Sequence, residues 1–238
     1  MGTAVVLLSG GLDSTTCAAL AARAYGPENV IALGFGYGQI HFKEQVAAGR
    51  VARYLKLRDY NFRQLPTEIF TGTGCSLMGE AIVPDGPYPE KLGPLNTYVP
   101  FRNGTLLSVA TAIAQRYNAK AIYFGAHSED AANWAYPDCT PEFIDAIGKA
   151  IEIGTYGKTC LLTPLRSMMK KDVVKLGMSL EAPIHLSWSC YKGMMEPCGT
   201  CPTCISRSEA FLANGVEESK YSELRYLRDF YEGKEGVI

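Results

Sequence analysis

Ser9-Gly10-Gly11-Leu12-Asp13-Ser14-Thr15-Thr16 stands between two apolar patterns. Ala4-Val5-Val6-Leu7-Leu8 before it reads as a short buried strand. Cys17, Leu20, Ala21 and Ala24 after it share one face of a helix. The spacing therefore predicts strand, glycine turn, helix. The start of such a helix turns unpaired backbone N–H groups toward the turn, and with the helix dipole they favour an anion. Gly10 and Gly11 leave no Cβ in the way of a close ligand. Ser9, Ser14 and Thr15 add hydroxyl donors. The stretch reads as a phosphate cradle that lacks the Walker lysine. Gly157-Lys158-Thr159 lacks the earlier glycine that pattern needs. A carboxylate beside phosphates repels them unless a cation lies between, so Asp13 reads as a Mg²⁺ partner or a helix cap.

Working outward, Val30-Ile31-Ala32-Leu33-Gly34-Phe35 reads as a second buried strand, followed by the loop Gly36-Tyr37-Gly38-Gln39-Ile40-His41. Its alternating glycines are not a dinucleotide fingerprint. A helix over about 43–54 and an edge strand over 57–62 complete a β-α-β-α-β order, the signature of a parallel sheet with crossover helices. Glycines and prolines punctuate 64–96, and a loop of that length suggests a lid or a segment ordered by substrate. An apolar helix carrying Leu106, Leu107, Val109, Ala110, Ile113 and Ala114 comes next. A fourth strand over 121–125 runs into Ala126-His127-Ser128-Glu129-Asp130. Pro141 opens a helix with Phe143, Ile144, Ile147 and Ile151 inward. A fifth strand over 159–162 and a helix over 170–178 follow. The last helix, about 219–231, gathers Tyr221, Leu224, Leu227, Phe230 and Tyr231 on a face that covers the core or meets a second subunit.

A chain of 238 residues, 47% hydrophobic, suffices for one sizeable core and a small appendage. Net charge is −1 and no basic run is present, which argues against direct nucleic-acid binding. The longest apolar stretch, Leu106 to Ala114, is too short to cross a bilayer, and the first strand begins without a leader. The expectation is a soluble, cytoplasmic protein. Of eight cysteines, four crowd into Cys190-x7-Cys198-x2-Cys201-x2-Cys204, with Gly193, Pro197, Gly199 and Pro202 as turns. That distribution suits a metal site in a reducing compartment better than a disulfide framework. Four thiolates suit a closed, structural tetrahedral Zn²⁺. An iron–sulfur cluster is the competitor. His41, His127 and His185 share no metal-ligand spacing, and none is assigned to metal.

In an open α/β sheet, ligands sit beyond the C-terminal strand ends. Ser9 to Thr15, Tyr37 to His41, His127 to Asp130 and Tyr136 to Asp138 all fall at such ends. Arg102, after a proline and before the apolar helix, suits bidentate phosphate binding. Asp138 has two readings that stay open: accepting hydrogen bonds from an amidine-like edge such as guanine's, or capping the helix at Pro141. Cys139 is a possible nucleophile, with no activating base legible beside it.

The strings SGGLDSTT, YGQIH, VPFRNG, YPDCTPEF, TPL, SWSCY and PCGTCPTC, in this order, resemble the 7-cyano-7-deazaguanine synthase (QueC) family of PP-loop ATP pyrophosphatases. The resemblance runs from about Ala4 to Ala213. It implies a Rossmann-like PP-loop domain over 1–180 and a zinc-binding helical segment over 181–238, in a homodimer. It implies ATP on Leu8, Ser9, Gly10, Gly11, Leu12, Asp13, Ser14, Thr15, Thr16, Cys17 and Ala18, with Mg²⁺. Zn²⁺ falls on Cys190, Cys198, Cys201 and Cys204. Asp13, Ser14 and Arg102 become the catalytic residues, and Tyr37, Gln39, Arg102, Asn103, Tyr136 and Asp138 the substrate-binding ones. The implied reaction takes 7-carboxy-7-deazaguanine and ammonia to an amide and then a nitrile, through an acyl adenylate, on the way to queuosine. Some relatives stop at the amide, and others join the deazaguanine acyl group to a protein amine in phage defence. The shared motifs leave those subtypes open. A PP-loop tRNA thiolase and a zinc-stabilised nucleotide sensor are the rival classes. The segments before Asn96 and over 129–135 are fuller than in the shortest family members.

Overall fold

The computed structural model describes residues 2–234. Five parallel strands run β1 (Thr3–Leu7), β2 (Val30–Gly36), β3 (Asp59–Gln64), β4 (Ala119–Tyr123) and β5 (Cys160–Leu162), in the order β3-β2-β1-β4-β5. The centre is buried on both faces, which explains why β1 and β2 read as continuous apolar runs. Alternate residues serve opposite layers. Ala4, Val6, Val30 and Ala32 enter one core, and Val5, Leu7, Ile31 and Leu33 the other. At the edge, β3 is mostly exposed or half-buried, as its mixed composition requires.

The first core is covered by α1 (Leu12–Tyr25), α2 (Lys43–Tyr54), α6 (Lys170–Ser179) and α7 (Pro202–Leu212). The second is covered by α3 (Arg102–Arg116) and α5 (Pro141–Gly154). A short α4 (Ser128–Ala131) follows β4, and α8 (Glu218–Tyr231) closes the described chain. The sequence hid α7, because Pro202 reads as a turn among the cysteines. Proline at the first helical position is nevertheless a start signal. Of the two readings of the α8 face, the structure does not bear out the one in which it covers the core. Arg225 and Asp229 are its buried residues, while Leu224, Leu227, Phe230 and Tyr231 are exposed.

After β3 the chain crosses back over β2 and β1 to reach β4. The strand order reverses there, and the crevice lies beyond β1 and β4. The 64–96 segment contains only two short 3₁₀ turns but is well tied. Phe70 and Leu77 are buried in the second core. The Glu80 carboxylate accepts the backbone N–H groups of Thr73 and Gly74 at 2.9 and 2.7 Å. Gly86 N–H donates to Thr200 O and Gly93 N–H to Asn133 O, both at 2.8 Å. Asp85 pairs with Lys192 at 2.5 Å. The segment thus bridges the cysteine-rich region and the loop after α4.

Candidate functional site

Between β1 and α1 the chain turns at Gly10, whose φ is +97°. A Cβ there would stand 2.0 Å from Glu44 O and 2.6 Å from Ala48 N on α2, so only glycine allows this approach. Gly11 is the N-cap of α1 and supplies no side-chain cap, which leaves the first N–H groups of the helix free for a ligand. The Ser14 hydroxyl sits 3.1 Å from that of Ser9, 3.2 Å from Gly10 N and 3.1 Å from Gly11 O, fixing the loop from inside. Trp188 N–H donates to Gly10 O at 2.9 Å, so the cysteine-bearing segment holds the loop from outside. Thr15, Thr16, Cys17 and Ala18 are buried beneath, and Cys17 and Ala18 belong to the first core.

Two cavities meet at this loop. One, of about 200 Å³, takes in Leu8, Ser9, Gly11, Asp13, Ser14, Tyr37, Gln39, Arg102 and Asn103, with apolar walls at Leu33, Phe35, Leu106 and Phe124. The other, of about 270 Å³, takes in Leu12, Asp13, Tyr88, His127, Tyr136, Lys170 and Trp188. Gly11, Asp13, Glu44, Asp130 and Tyr191 border both.

Arg102 is the first residue of α3 rather than its forerunner. Phe101 before it takes a left-handed φ of +54°, a strained turn of the kind found at functional sites. The guanidinium donates to Tyr37 Oη at 3.0 Å. Gln39 is occupied by its own loop, accepting from Tyr37 N at 2.8 Å and donating to Phe35 O at 3.0 Å. Asp138 borders neither cavity, since its carboxylate accepts from Asn103 N at 2.8 Å and Nδ2 at 3.1 Å. It therefore caps the start of α3. Thr140, accepting from Phe143 N, caps α5. Tyr136 shares a 2.7 Å hydrogen bond with Thr97. Burial, then Asp130 and Asp138, push the Cys139 thiol well above its ordinary range, so it holds its proton and makes a poor nucleophile.

Lys170 lies outside every motif quoted above, yet it belongs to this site. The first turn of α6 carries it across the molecule, where Nζ lies 2.5 Å from Asp13 Oδ2 and 3.5 Å from His127 Nε2. Burial pushes the Asp13 carboxyl up, but Lys170 and then His127 hold it below its ordinary value. The other oxygen, Oδ1, is buried without a hydrogen-bond partner. One signal for Lys170 was available: a cation in the first turn of a helix opposes the dipole, so something else must stabilise it.

The four cysteines converge. Cys190 lies in a loop, Cys198 in the following turn, Cys201 at the N-cap of α7 and Cys204 within it. Their sulfurs lie within 4.8 Å of one another, with Cys198 and Cys204 Sγ 3.9 Å apart. Tetrahedral zinc at a Zn–S distance of about 2.3 Å needs edges of about 3.8 Å, so this set fits a mononuclear thiolate site. Val83, from the 64–96 segment, packs against it.

The sequence pattern of queuosine biosynthesis protein QueC matches residues 3–215. The chain belongs to the QueC family. It is 40% identical to a 7-cyano-7-deazaguanine synthase of Methanoculleus marisnigri over 222 residues, covering 92% of this chain and 97% of that protein. It is 42% identical to one of Nautilia profundicola over 224 residues, with the same coverage. Among solved structures, NMN synthetase from Francisella tularensis superposes with a TM-score of 0.50 at 18% identity, covering 98% of this chain and 78% of that one. That likeness concerns the fold alone. In this QueC member the glycine loop stands at the C-terminal edge of the parallel sheet, and the segment leading into the cysteine cluster holds it through Trp188.

Proposed function

We propose that the chain is an ATP-dependent synthase that converts 7-carboxy-7-deazaguanine and ammonia into 7-cyano-7-deazaguanine. The observation that carries this reading is the phosphate cradle at the seam of two cavities, in a chain of the QueC family. Adenine and deazaguanine, both flat, divide between the cavities. The acid and the α-phosphate then meet at the loop.

A carboxylate is a poor electrophile because oxide is a poor leaving group. Its attack on the α-phosphate gives an acyl adenylate, from which AMP leaves readily. The α1 N–H groups and the Ser9 and Ser14 hydroxyls suit the departing pyrophosphate, and Arg102 and Lys170 suit its charge. The unpartnered Asp13 Oδ1 suits a Mg²⁺ ion, which would neutralise charge between carboxylate and phosphates. Ammonia displaces AMP, and a second ATP activates the amide oxygen for loss as AMP. Positioning does most of this work, and no covalent enzyme intermediate is needed. Tyr136 and Tyr88 border the acid's side, and Zn²⁺ on Cys190, Cys198, Cys201 and Cys204 would hold the segment that carries Trp188 and Tyr191.

No helix among the described residues is long and apolar enough to cross a membrane. The eight unpaired cysteines suit a cytoplasmic setting. The exposed Leu224, Leu227, Phe230 and Tyr231 on α8 suit a homodimer contact. The test of function supplies ATP, Mg²⁺, the acid and ammonia. Mass spectrometry should find the nitrile, and phosphorus NMR should find AMP and pyrophosphate. ADP and phosphate alone would refute adenylation. A product that never passes the amide, or acyl transfer to a protein amine, would refute the synthase assignment.

A further inference from the structure

Nitrogen sheds three protons in the reaction proposed above. When ammonia attacks the acyl adenylate, the C–N bond forms, the C–O bond to AMP breaks, and the nitrogen gives up one proton. The amide oxygen then takes the adenylyl group of a second ATP and pyrophosphate leaves. The C–O bond to AMP breaks, the nitrogen's electrons complete the C≡N bond, and its two remaining protons depart. A base must therefore stand where acid and nucleotide meet.

Most candidates at the two cavities are engaged. Asp13 is paired with Lys170, and Glu129 accepts the Lys170 backbone N–H at 2.7 Å. Burial drives the Cys139 thiol and the Tyr88, Tyr136 and Tyr191 phenols upward, so they keep their protons. Asp130 lies 3.4 Å from His127, but that imidazole is already turned toward Asp13 and Lys170.

Glu44 stands differently. It sits in the first turn of α2, borders both cavities, and reaches over the loop. A Cβ on Gly11 would lie 2.9 Å from its Oε1. Its Oε2 lies 3.3 Å from His41 Nε2. His41 is 3% exposed and borders the first cavity, and its buried Nδ1 has no hydrogen-bond partner. A carboxylate this close to a phosphate cradle repels phosphate, so anion binding does not account for it. It does attract an ammonium nitrogen, and the imidazole behind it can take a proton onward.

We propose that Glu44, backed by His41, draws ammonia to the seam and accepts the protons that its nitrogen sheds. This rests on the synthase reading, and the test separates the two. Exchange of labelled pyrophosphate into ATP, dependent on the acid, reports adenylation without nitrogen. Glu44→Gln should keep that exchange and lose ammonia-dependent product by about 10²- to 10⁴-fold, the usual weight of a general base. Hydroxylamine, whose conjugate acid yields its proton more readily, should restore much of the lost acyl transfer as hydroxamate. His41→Gln should fall in the same step by less. Parallel loss of exchange and product, restored by extra Mg²⁺, would make Glu44 a metal ligand and overturn the proposal. So would unchanged turnover in Glu44→Gln, or the same split seen in Asp130→Asn alone. If Glu44→Gln fails to fold, Glu44→Asp gives the same comparison, with a smaller loss confined to the ammonia step. Absence of exchange in the unaltered protein would refute the synthase reading itself, and this proposal with it.

Discussion

Lys170→Met isolates the ion pair at the centre of the site. Nζ and Asp13 Oδ2 are 2.5 Å apart, and the side chains are 11% and 22% exposed. At an effective dielectric of ~20 the attraction is about 6–7 kcal/mol, most of it offset by desolvation of two ions. Removing the lysine alone leaves a desolvated carboxylate. Breaking buried pairs costs about 3–5 kcal/mol. We expect the lower end, about 3 kcal/mol, because Asp13 keeps some solvent and His127 Nε2 stands 3.9 Å away. In a chain of this size that is a fall of about 6–12 °C in Tm.

Asp13→Asn/Lys170→Met removes both charges and should recover to within about 1 kcal/mol of the unaltered protein. The sign with pH also follows. The native Asp13 carboxyl lies below its ordinary 3.8, so its contribution is present above that value and is lost as pH falls through the lowered one. Without Lys170, burial pushes the same carboxyl up, and acid relieves the variant. The gap between the two proteins should be widest near neutrality and close through the carboxyl range. Thermal melts at several pH values measure it. A neutral-pH gap under about 1 kcal/mol, or a double variant as unstable as the single one, would refute this account of the pair.

Elemental analysis should find one zinc per chain, and Cys201→Ser should lose it. Structural zinc in finger peptides contributes about 10–16 kcal/mol. Because Val83, Asp85 and Gly86 lean on the cysteine region, the variant should also become more open to protease within 82–94, whereas protection equal to the unaltered chain would break that link. Burial pushes His185 down to about 4, with Arg225 and Arg228 adding to it, against the pull of Asp229 at 3.0 Å. Its stabilising contribution is present above the ordinary 6.5 and is lost as pH falls through about 4, so His185→Gln should flatten denaturant-measured stability across that window. Cys139→Ser should keep most of its turnover, since the protonated thiol only accepts from Asn103 Nδ2 at 3.2 Å; turnover lost to background would reinstate it as a nucleophile.

The glycine loop, the parallel sheet and the four-thiol cluster were legible in the sequence because each rests on near neighbours in the chain. A strand, turn and helix follow from local periodicity and from Gly10 and Gly11, and Cys198, Cys201 and Cys204 lie within seven residues. What tertiary structure decided is how distant segments meet. Lys170 joins Asp13 from 157 residues away, and Trp188 grips Gly10 from a segment whose sequence speaks only of metal. Asp138 was ambiguous between base recognition and capping. Folding brought Asn103 to it, and its carboxylate was thereby spent on α3. The pattern of α8 named its apolar residues but not which face the core would take. Asp229 and Arg225 went inward because Tyr54, His185 and the Glu181 carbonyl stood there to receive them. Periodicity records which residues share a face. Only the partners across that face decide whether it is buried, because a buried charge is tolerated where another group meets it.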